Sequence, residues 1–228
     1  MRQKVVAIFL TMLMVLTMFS VNVLANVDGK TYDLTDIPNN WSTEALTEAV
    51  DNGLLSGYNN KLYPDNNLTR AEMATVINRA FGANAKADIE NYTDVNNSDW
   101  YYEEMSKAVG MGTFKGYENQ LRPNDPITRE EVFVVLSNAM NLKSDKPSKS
   151  IADISEVSQW AKSGVFALIN NNYVSGSGDK LNPKSNITRA EFAQVMHNIV
   201  KYYVKSPGVY EEVKEGNVIV NVPNVILK

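Results

Sequence analysis

Apolar side chains recur at i, i+3, i+4, i+7 and i+8 in three separate stretches of the chain, a spacing that lines one face of an α-helix. They are Met73, Val76, Ile77, Ala80 and Phe81, then Val132, Val135, Leu136, Ala139 and Met140, then Phe192, Val195, Met196, Ile199 and Val200. No polar residue interrupts any of the three sets, so each predicts a helix with a buried stripe. Thr-x-x-Glu stands directly ahead of each stripe, at Thr69 and Glu72, Thr128 and Glu131, and Thr188 and Glu191. This is a capping box: the hydroxyl accepts from the Glu backbone and the carboxylate reaches back to the Thr backbone. A shorter helix is predicted before each long one by Leu46, Ala49 and Val50, by Met105, Ala108 and Val109, and by Val165, Leu168 and Ile169. Gly53 and Gly112 stand where the first two of these should stop. Between the helices, Gly57-Tyr58 and Leu62-Tyr63-Pro64 read as an extended turn. Each unit is thus helix, extended loop, helix.

The units are copies of one repeat. Blocks beginning at Trp41, Trp100 and Trp160 align without gaps for 41 residues, at offsets of 59 and 60. Within them Gly57, Gly116 and Gly176 coincide, as do Pro64, Pro123 and Pro183, and Arg70, Arg129 and Arg189. An Asp precedes each Trp, at Asp36, Asp94 and Asp153. The repeats are bounded at 34–82, 92–142 and 151–200, and the stretches Ala83 to Asn91 and Lys143 to Ser150 are short polar linkers. A two-helix unit cannot bury its own stripe, so the units should share one core. The expected fold is mostly α: three helix-loop-helix repeats packed as a pseudo-threefold helical bundle. Residues 201–228 form a C-terminal tail, where Val218, Val220, Val222, Val225 and Leu227 alternate around Pro223. That tail reads as an incipient β segment, too short for an independently stable sheet; it adds to the bundle, pairs with a partner, or begins a further domain.

The amino terminus changes the compartment. Arg2 and Lys4 lead into an apolar run from Val5 to Phe19, followed by Val23-Leu24-Ala25, which supplies small residues for a signal peptidase. Residues 1–25 are therefore expected to be a cleaved export signal. The rival is a retained membrane anchor, weakened by Thr11, Thr17, Ser20 and Asn22. With no Cys in the chain, neither disulfides nor an amino-terminal lipid-modified Cys is available. Losing Arg2 and Lys4 moves the formal charge from −4 to −6. A net acidic chain is not drawn by bulk charge to nucleic acid or anionic lipid, so membrane contact is expected only through an uncleaved signal segment.

The repeated motifs resemble the S-layer homology family. The residues that carry the resemblance are Leu34-Thr35-Asp36-Ile37 before Trp41, Gly57-Tyr58 with Leu62-Tyr63-Pro64, and Thr69-Arg70-Ala71-Glu72. Thr128-Arg129-Glu130-Glu131 and Thr188-Arg189-Ala190-Glu191 are the counterparts of the last, and the likeness runs from Leu34 to Val200. The resemblance implies a pseudo-threefold bundle that binds secondary cell-wall polysaccharide attached to peptidoglycan, often one with pyruvylated amino sugars. It further implies a protein at the wall or S-layer surface of a Gram-positive bacterium, with self-association or S-layer proteins as further partners. No cofactor and no metal is expected.

Within that picture Arg70, Arg129 and Arg189 are the leading ligand-binding residues. Each sits in the first turn of a capped helix, where free N–H groups favour an anion, and a guanidinium suits a carboxylate such as a ketal acid. The competing role is an internal pair with an Asp or a neighbouring Glu. Trp41, Trp100 and Trp160 suit either stacking on sugar faces or a hydrophobic staple at the helix start. Tyr58 and Tyr117 follow Gly57 and Gly116, which with Gly176 let backbone approach a ligand, and are expected to form groove walls. Asp36, Asp94 and Asp153 either accept sugar hydroxyls or make a local turn. Repeat three departs from the pattern with Ser177 for the Tyr, Asn172 for the helix-ending Gly and Gly164 inside its first helix, so its groove is expected to be weaker or purely structural. In repeat two Glu130 adds a negative charge beside Arg129.

Catalysis is not expected. A calcium loop suggested by Asp65, Asn67 and Thr69 lacks the Gly and Glu that an EF-hand needs, and repeat three starts it with Lys184. His197, the sole His, falls on the polar side of its helix and is read as solvated. The acid pairs Glu103-Glu104 and Glu130-Glu131 are adjacent and point apart on a helix, unlike a glycosidase pair. The alternative to glycan anchoring is a protein–protein adaptor of the envelope or an S-layer assembly module.

Overall fold

A computed structural model describes residues 21–27, 30–212 and 216–228. The charged and apolar parts of the expected export signal, residues 1–20, lie outside the described residues. Strands β1 (Val21–Val27) and β2 (Lys30–Ile37) pair antiparallel, so Val23, Leu24 and Ala25 lie in β1. Among the described residues six α-helices follow in three pairs: α1 (Thr43–Asp51) and α2 (Arg70–Phe81), α3 (Tyr102–Gly110) and α4 (Arg129–Ala139), α5 (Lys162–Asn170) and α6 (Arg189–Ile199).

The long helices begin where the capping boxes predict. Thr69, Thr128 and Thr188 are the N-caps of α2, α4 and α6, each with the reciprocal Thr and Glu bonds in place. The short helices end on a left-handed residue in every repeat: Gly53 (φ 67°), Gly112 (φ 75°) and Asn172 (φ 58°). Asn tolerates that conformation better than other side chains, so its replacement of Gly in repeat three leaves the stop signal intact. α6 ends one residue before the stripe does. Val200 is buried, but it opens strand β3 (Val200–Val204), because the chain leaves the helix there for the tail.

Between the paired helices the extended turn contains a two-residue hairpin. Tyr58 and Lys61 exchange backbone hydrogen bonds around Asn59 and Asn60, both at positive φ, and Tyr117 with Gln120 and Ser177 with Lys180 repeat the arrangement. Two left-handed residues in the turn match the twist of the flanking strands. The lead-in segment of each repeat bonds to its own hairpin tip, Thr35 N–H to Asn60 O, Thr93 N–H to Asn119 O and Ala152 N–H to Asp179 O.

The three units close into a ring. Each long helix packs on the first helix of the next unit, α2 on α3, α4 on α5 and α6 back on α1. At the pseudo-threefold axis Leu68, Ile127 and Ile187 are fully buried and bonded to one another in a cycle. Leu68 N–H donates to Ile187 O at 2.9 Å, Ile187 N–H to Ile127 O at 3.1 Å, and Ile127 N–H to Leu68 O at 3.0 Å. Ile89, in the first linker, is also fully buried, so that linker contributes to the shared core.

The three seams use different chemistry in one geometry. Asn78 donates to the backbone oxygen and carboxylate of Glu104 on α3, at 2.8 and 2.7 Å. At the equivalent place between α4 and α5, Gly164 lies so close to Ser137 that a Cβ would sit 2.4 Å from its Oγ. Between α6 and α1, His197 Nδ1 lies 2.5 Å from Glu48 Oε2. This corrects the reading of His197 as a solvated residue: ring closure brings α1 over the helix face that the sequence marks as polar.

The tail pairs within itself and also adds to the bundle, with Ile219 in the shared core and Asn217 Nδ2 donating to Tyr173 OH and Ile199 O. β3 pairs parallel with β5 (Asn217–Val220), and β4 (Gly208–Tyr210) pairs parallel with β6 (Val225–Leu227). The second half therefore stacks on the first as a repeat of 16 or 17 residues, and β3 continues directly from α6.

Candidate groove sites between repeats

Each Arg after a capping Thr crosses to the next unit. Arg70 Nε donates to Leu121 O at 2.9 Å and its Nη1 to Glu131 at 3.0 Å. Arg129 does the same with Leu181 O and Glu191, at 2.6 and 2.8 Å. Arg189 closes the ring with Leu62 O and Glu72, at 2.8 and 2.7 Å. The acceptor Glu in every case is the capping-box Glu of the neighbouring unit, so helix start and inter-repeat contact are one network. The internal role weighed for the Arg residues is thus present in all three.

Ion pairing does not use each guanidinium equally. Among the described residues, Arg70 and Arg129 make no protein hydrogen bond through Nη2, whereas Arg189 Nη2 donates to Ser56 O at 2.7 Å. Burial lowers the Arg70 pKa from its ordinary value, and Glu131 opposes that shift. An Arg remains charged under such a shift.

The tryptophans are the exposed face of the site. Trp41, Trp100 and Trp160 are 61%, 64% and 60% exposed, which removes the hydrophobic-staple role. Their partners come from other repeats. Trp41, of repeat one, lines a hollow of about 430 Å³ with Gly176 and Ser177 of repeat three and Arg129 of repeat two. Trp160, of repeat three, lines one of about 410 Å³ with Tyr117 of repeat two and Arg70 of repeat one. Trp100 lies in a different setting, beside Lys86, Asp99 and Glu103. Tyr58 is exposed like Tyr117. The departure of repeat three from the pattern therefore does not close its hairpin to a ligand: the Ser177 side is open beside Trp41, and it is Arg189 whose second nitrogen is occupied.

The aspartates and glycines have internal work. Asp36 accepts from Leu62 and Tyr63 N–H, Asp94 from Leu121 and Arg122, and Asp153 from Leu181 and Asn182, at 2.6 to 2.9 Å. Both carboxylate oxygens of each hold the loop whose second residue has φ between 50° and 54°. The glycines face their own hairpins. A Cβ on Gly57, Gly116 or Gly176 would meet Lys61 O at 2.6 Å, Gln120 O at 2.8 Å or Lys180 O at 2.3 Å. Backbone does approach closely there, but the backbone is the chain's own.

Glu130 is not an open negative charge beside Arg129. It is buried, accepts from Ser158 N–H and Oγ at 2.9 Å, and pairs with Lys184 at 2.6 Å. Residues missing from the sequence reading are Gln194 and Asn198 beside Trp41, and Lys115, Gln120 and Arg122 beside Trp160. None lies in a motif repeated across the three units, and only the ring closure brings them to the grooves. Among the described residues no cluster of His, Cys, Asp and Glu is arranged to hold a metal ion, and no helix is long and apolar enough to cross a membrane.

The sequence profile described as the S-layer homology domain matches residues 33–74, 91–133 and 150–193. The chain is similar to the Surface-layer 125 kDa protein of Lysinibacillus sphaericus, 32% identical over 175 residues, covering 74% of this chain and 15% of that protein. It is 27% identical over 180 residues to S-layer protein sap of Bacillus anthracis, covering 77% and 22% of the two chains. It is 28% identical over 179 residues to an amylopullulanase of Thermoanaerobacterium thermosulfurigenes, covering 75% and 10%. The chain thus spans less than a quarter of the length of each.

Proposed function

Since the chain belongs to the S-layer homology domain family, we propose that it is a binding module, not a catalyst, that holds an exported protein non-covalently to a bacterial cell wall. Its ligand is the secondary polysaccharide attached to peptidoglycan, and the acidic group it reads is a carboxylate, such as a pyruvyl ketal. Residues 1–25 serve as the export signal.

The observation that carries this reading is the composite groove. An exposed Trp from one repeat stands over the hairpin of a second and beside an Arg of the third, and that Arg keeps a donor to spare. A flat ring and a cationic donor are what an acidic pyranose would use, one for its apolar face and the other for its charge. The grooves at Trp41 with Arg129 and at Trp160 with Arg70 are the binding grooves. The Arg189 groove is structural, its guanidinium being satisfied by Leu62, Glu72 and Ser56. Two relatives are named for surface layers and a third is named as an enzyme, so the shared segment accompanies unlike companions.

Arg substitutions alone cannot test the idea, because each Arg also bridges repeats. Trp41→Ala and Trp160→Ala remove mostly exposed rings and should leave folding intact. The test is sedimentation with purified sacculi before and after chemical removal of the secondary polymer. Wild-type protein should bind only polymer-bearing sacculi, and the double Trp variant should lose at least about tenfold in affinity, since base–aromatic stacking of comparable area contributes a similar amount. Undiminished binding to stripped sacculi would refute the glycan reading and favour a protein adaptor.

A further inference from the structure

The two open grooves differ in charge, and the difference comes from positions outside the shared motif. Lys115 aligns with Ser56 and Ser175, and Arg122 aligns with Tyr63 and Asn182, so only repeat two carries cations at either place. Both line the Trp160 groove and both are exposed.

Arg122 is not required by the fold. Its backbone is left-handed at φ 54°, the same as Tyr63 at 54° and Asn182 at 50°, and in each repeat the preceding Asp clamp holds it there through main-chain N–H groups. Three unlike side chains on one clamped backbone show that the clamp, not the side chain, fixes the loop. The Arg122 guanidinium lies 5.8 Å from the Tyr117 ring centroid, a cation–π arrangement that orients it along the groove wall.

Around it the acids are largely spent. Glu131 is paired with Arg70, and Glu130 with Lys184. Among the described residues neither Lys115 nor Arg122 makes an ion pair within 4 Å, and Asp125 is the remaining acid of this groove. Among the groups lining this groove, two cations without an ion-pair partner thus stand against one such acid. In the Trp41 groove Arg129 is balanced by Glu191, and the other polar groups are neutral: Ser175, Ser177, Gln194 and Asn198.

We propose that the two grooves read different parts of an acidic polysaccharide: Lys115 and Arg122 engage a second carboxylate beyond the one at Arg70, while the Trp41 groove takes a stretch with a single acid. This rests on the wall-polymer reading. It makes the attachment of the Trp160 groove dependent on salt and that of the Trp41 groove nearly independent of it, since exposed charges are screened within about 10 Å at 0.1 M salt.

The test is calorimetric titration of the full chain with soluble wall polysaccharide released from sacculi, across a salt series. The double variant Lys115→Ser with Arg122→Asn installs the residues of repeat three. It should unfold like wild type, bind roughly three- to tenfold more weakly at low salt, and converge with wild type at high salt, as two exposed charge contacts would give. Lys115→Arg with Arg122→Lys should keep the wild-type salt dependence. Equal affinity and salt dependence in wild type and the Ser/Asn variant would overturn this proposal while leaving wall binding in place. Absence of wild-type binding would overturn the wall-polymer reading itself.

Discussion

At the scale of single residues, the groove and the fold draw on the same side chains in different measure. The Asp residues, read as possible ligands, spend both oxygens on backbone N–H groups, while the Trp residues contribute little to the core and are the more separable probes of binding. Tyr203 shows how an ordinary residue acquires a pH signature. Burial raises its pKa from the ordinary value, and the negative charge of Glu48 raises it further. Because the folded-state pKa lies above the unfolded one, the contribution of Tyr203 to stability is fully present below about pH 10, the unfolded value. It is lost as pH rises past that value and through the folded one, since the unfolded chain releases the proton first. Stability should therefore fall above about pH 10, and Tyr203→Phe should flatten that fall without changing stability at pH 7 to 9. Urea unfolding at a series of alkaline pH values measures this. Tyr101, raised chiefly by burial as well, leaves a residual slope in the variant.

At the scale of elements, the seams between helices decide which substitutions the repeat tolerates. Gly164 looks like a flaw inside α5 when read from propensity alone, because Ala in its place should stabilise an exposed helix by about 1 kcal/mol. The seam reverses that sign. A methyl group at 164 would lie 2.4 Å from Ser137 Oγ and 3.2 Å from the Val134 Cα, so α4 would have to move away. Gly164→Ala is expected to destabilise by roughly 1–2 kcal/mol, a typical cost of overpacking. In a Ser137→Gly background the loss should shrink, because the nearer obstacle is gone; an unchanged loss would place the strain on the α4 backbone instead. The six helices and three caps were legible in the sequence because they depend on neighbours three and four residues apart. Periodicity and turn residues mark the hairpin only as an extended turn, although Asn59-Asn60 and Gly178-Asp179 are residue types suited to its left-handed turns. The sequence hides the His197 contact because its partner Glu48 is 149 residues away, and no local periodicity reports a contact across the closing seam.

At the scale of the whole molecule, the repeats hold together through a cycle in which every unit both gives an Arg and receives one. Sequence repetition reveals that the units are equivalent but not that they are linked in this way, since an Arg three residues ahead of its own stripe and an Arg reaching the next unit look alike. The groove shares this property: a Trp, a hairpin and an Arg that lie in three different repeats become neighbours only when the ring closes. If the proposed grooves are the binding sites, binding and global stability are coupled through Arg70 and Arg129, which also bridge repeats. Arg189 isolates the stability part, because its Nε, Nη1 and Nη2 all bond within the protein. Replacing it with Ala leaves Glu72 Oε1 without its cation and the Leu62 and Ser56 carbonyls without that donor, at a cost of about 3 kcal/mol by comparison with broken buried pairs. For a domain of about 200 residues that lowers Tm by roughly 6–12 °C. The loss should appear as a shift of one cooperative transition, since the contact ties the first repeat to the last and no unit has a closed core of its own. Thermal unfolding followed by both near-ultraviolet and far-ultraviolet circular dichroism checks this. Coincident, lowered transitions are the expected result, and separate melting of the third repeat with the other two unaffected would show that the ring is not the unit of stability. Wall binding by Arg189→Ala, measured below its transition, should match wild type if the Arg129 and Arg70 grooves are the ones that hold the polymer.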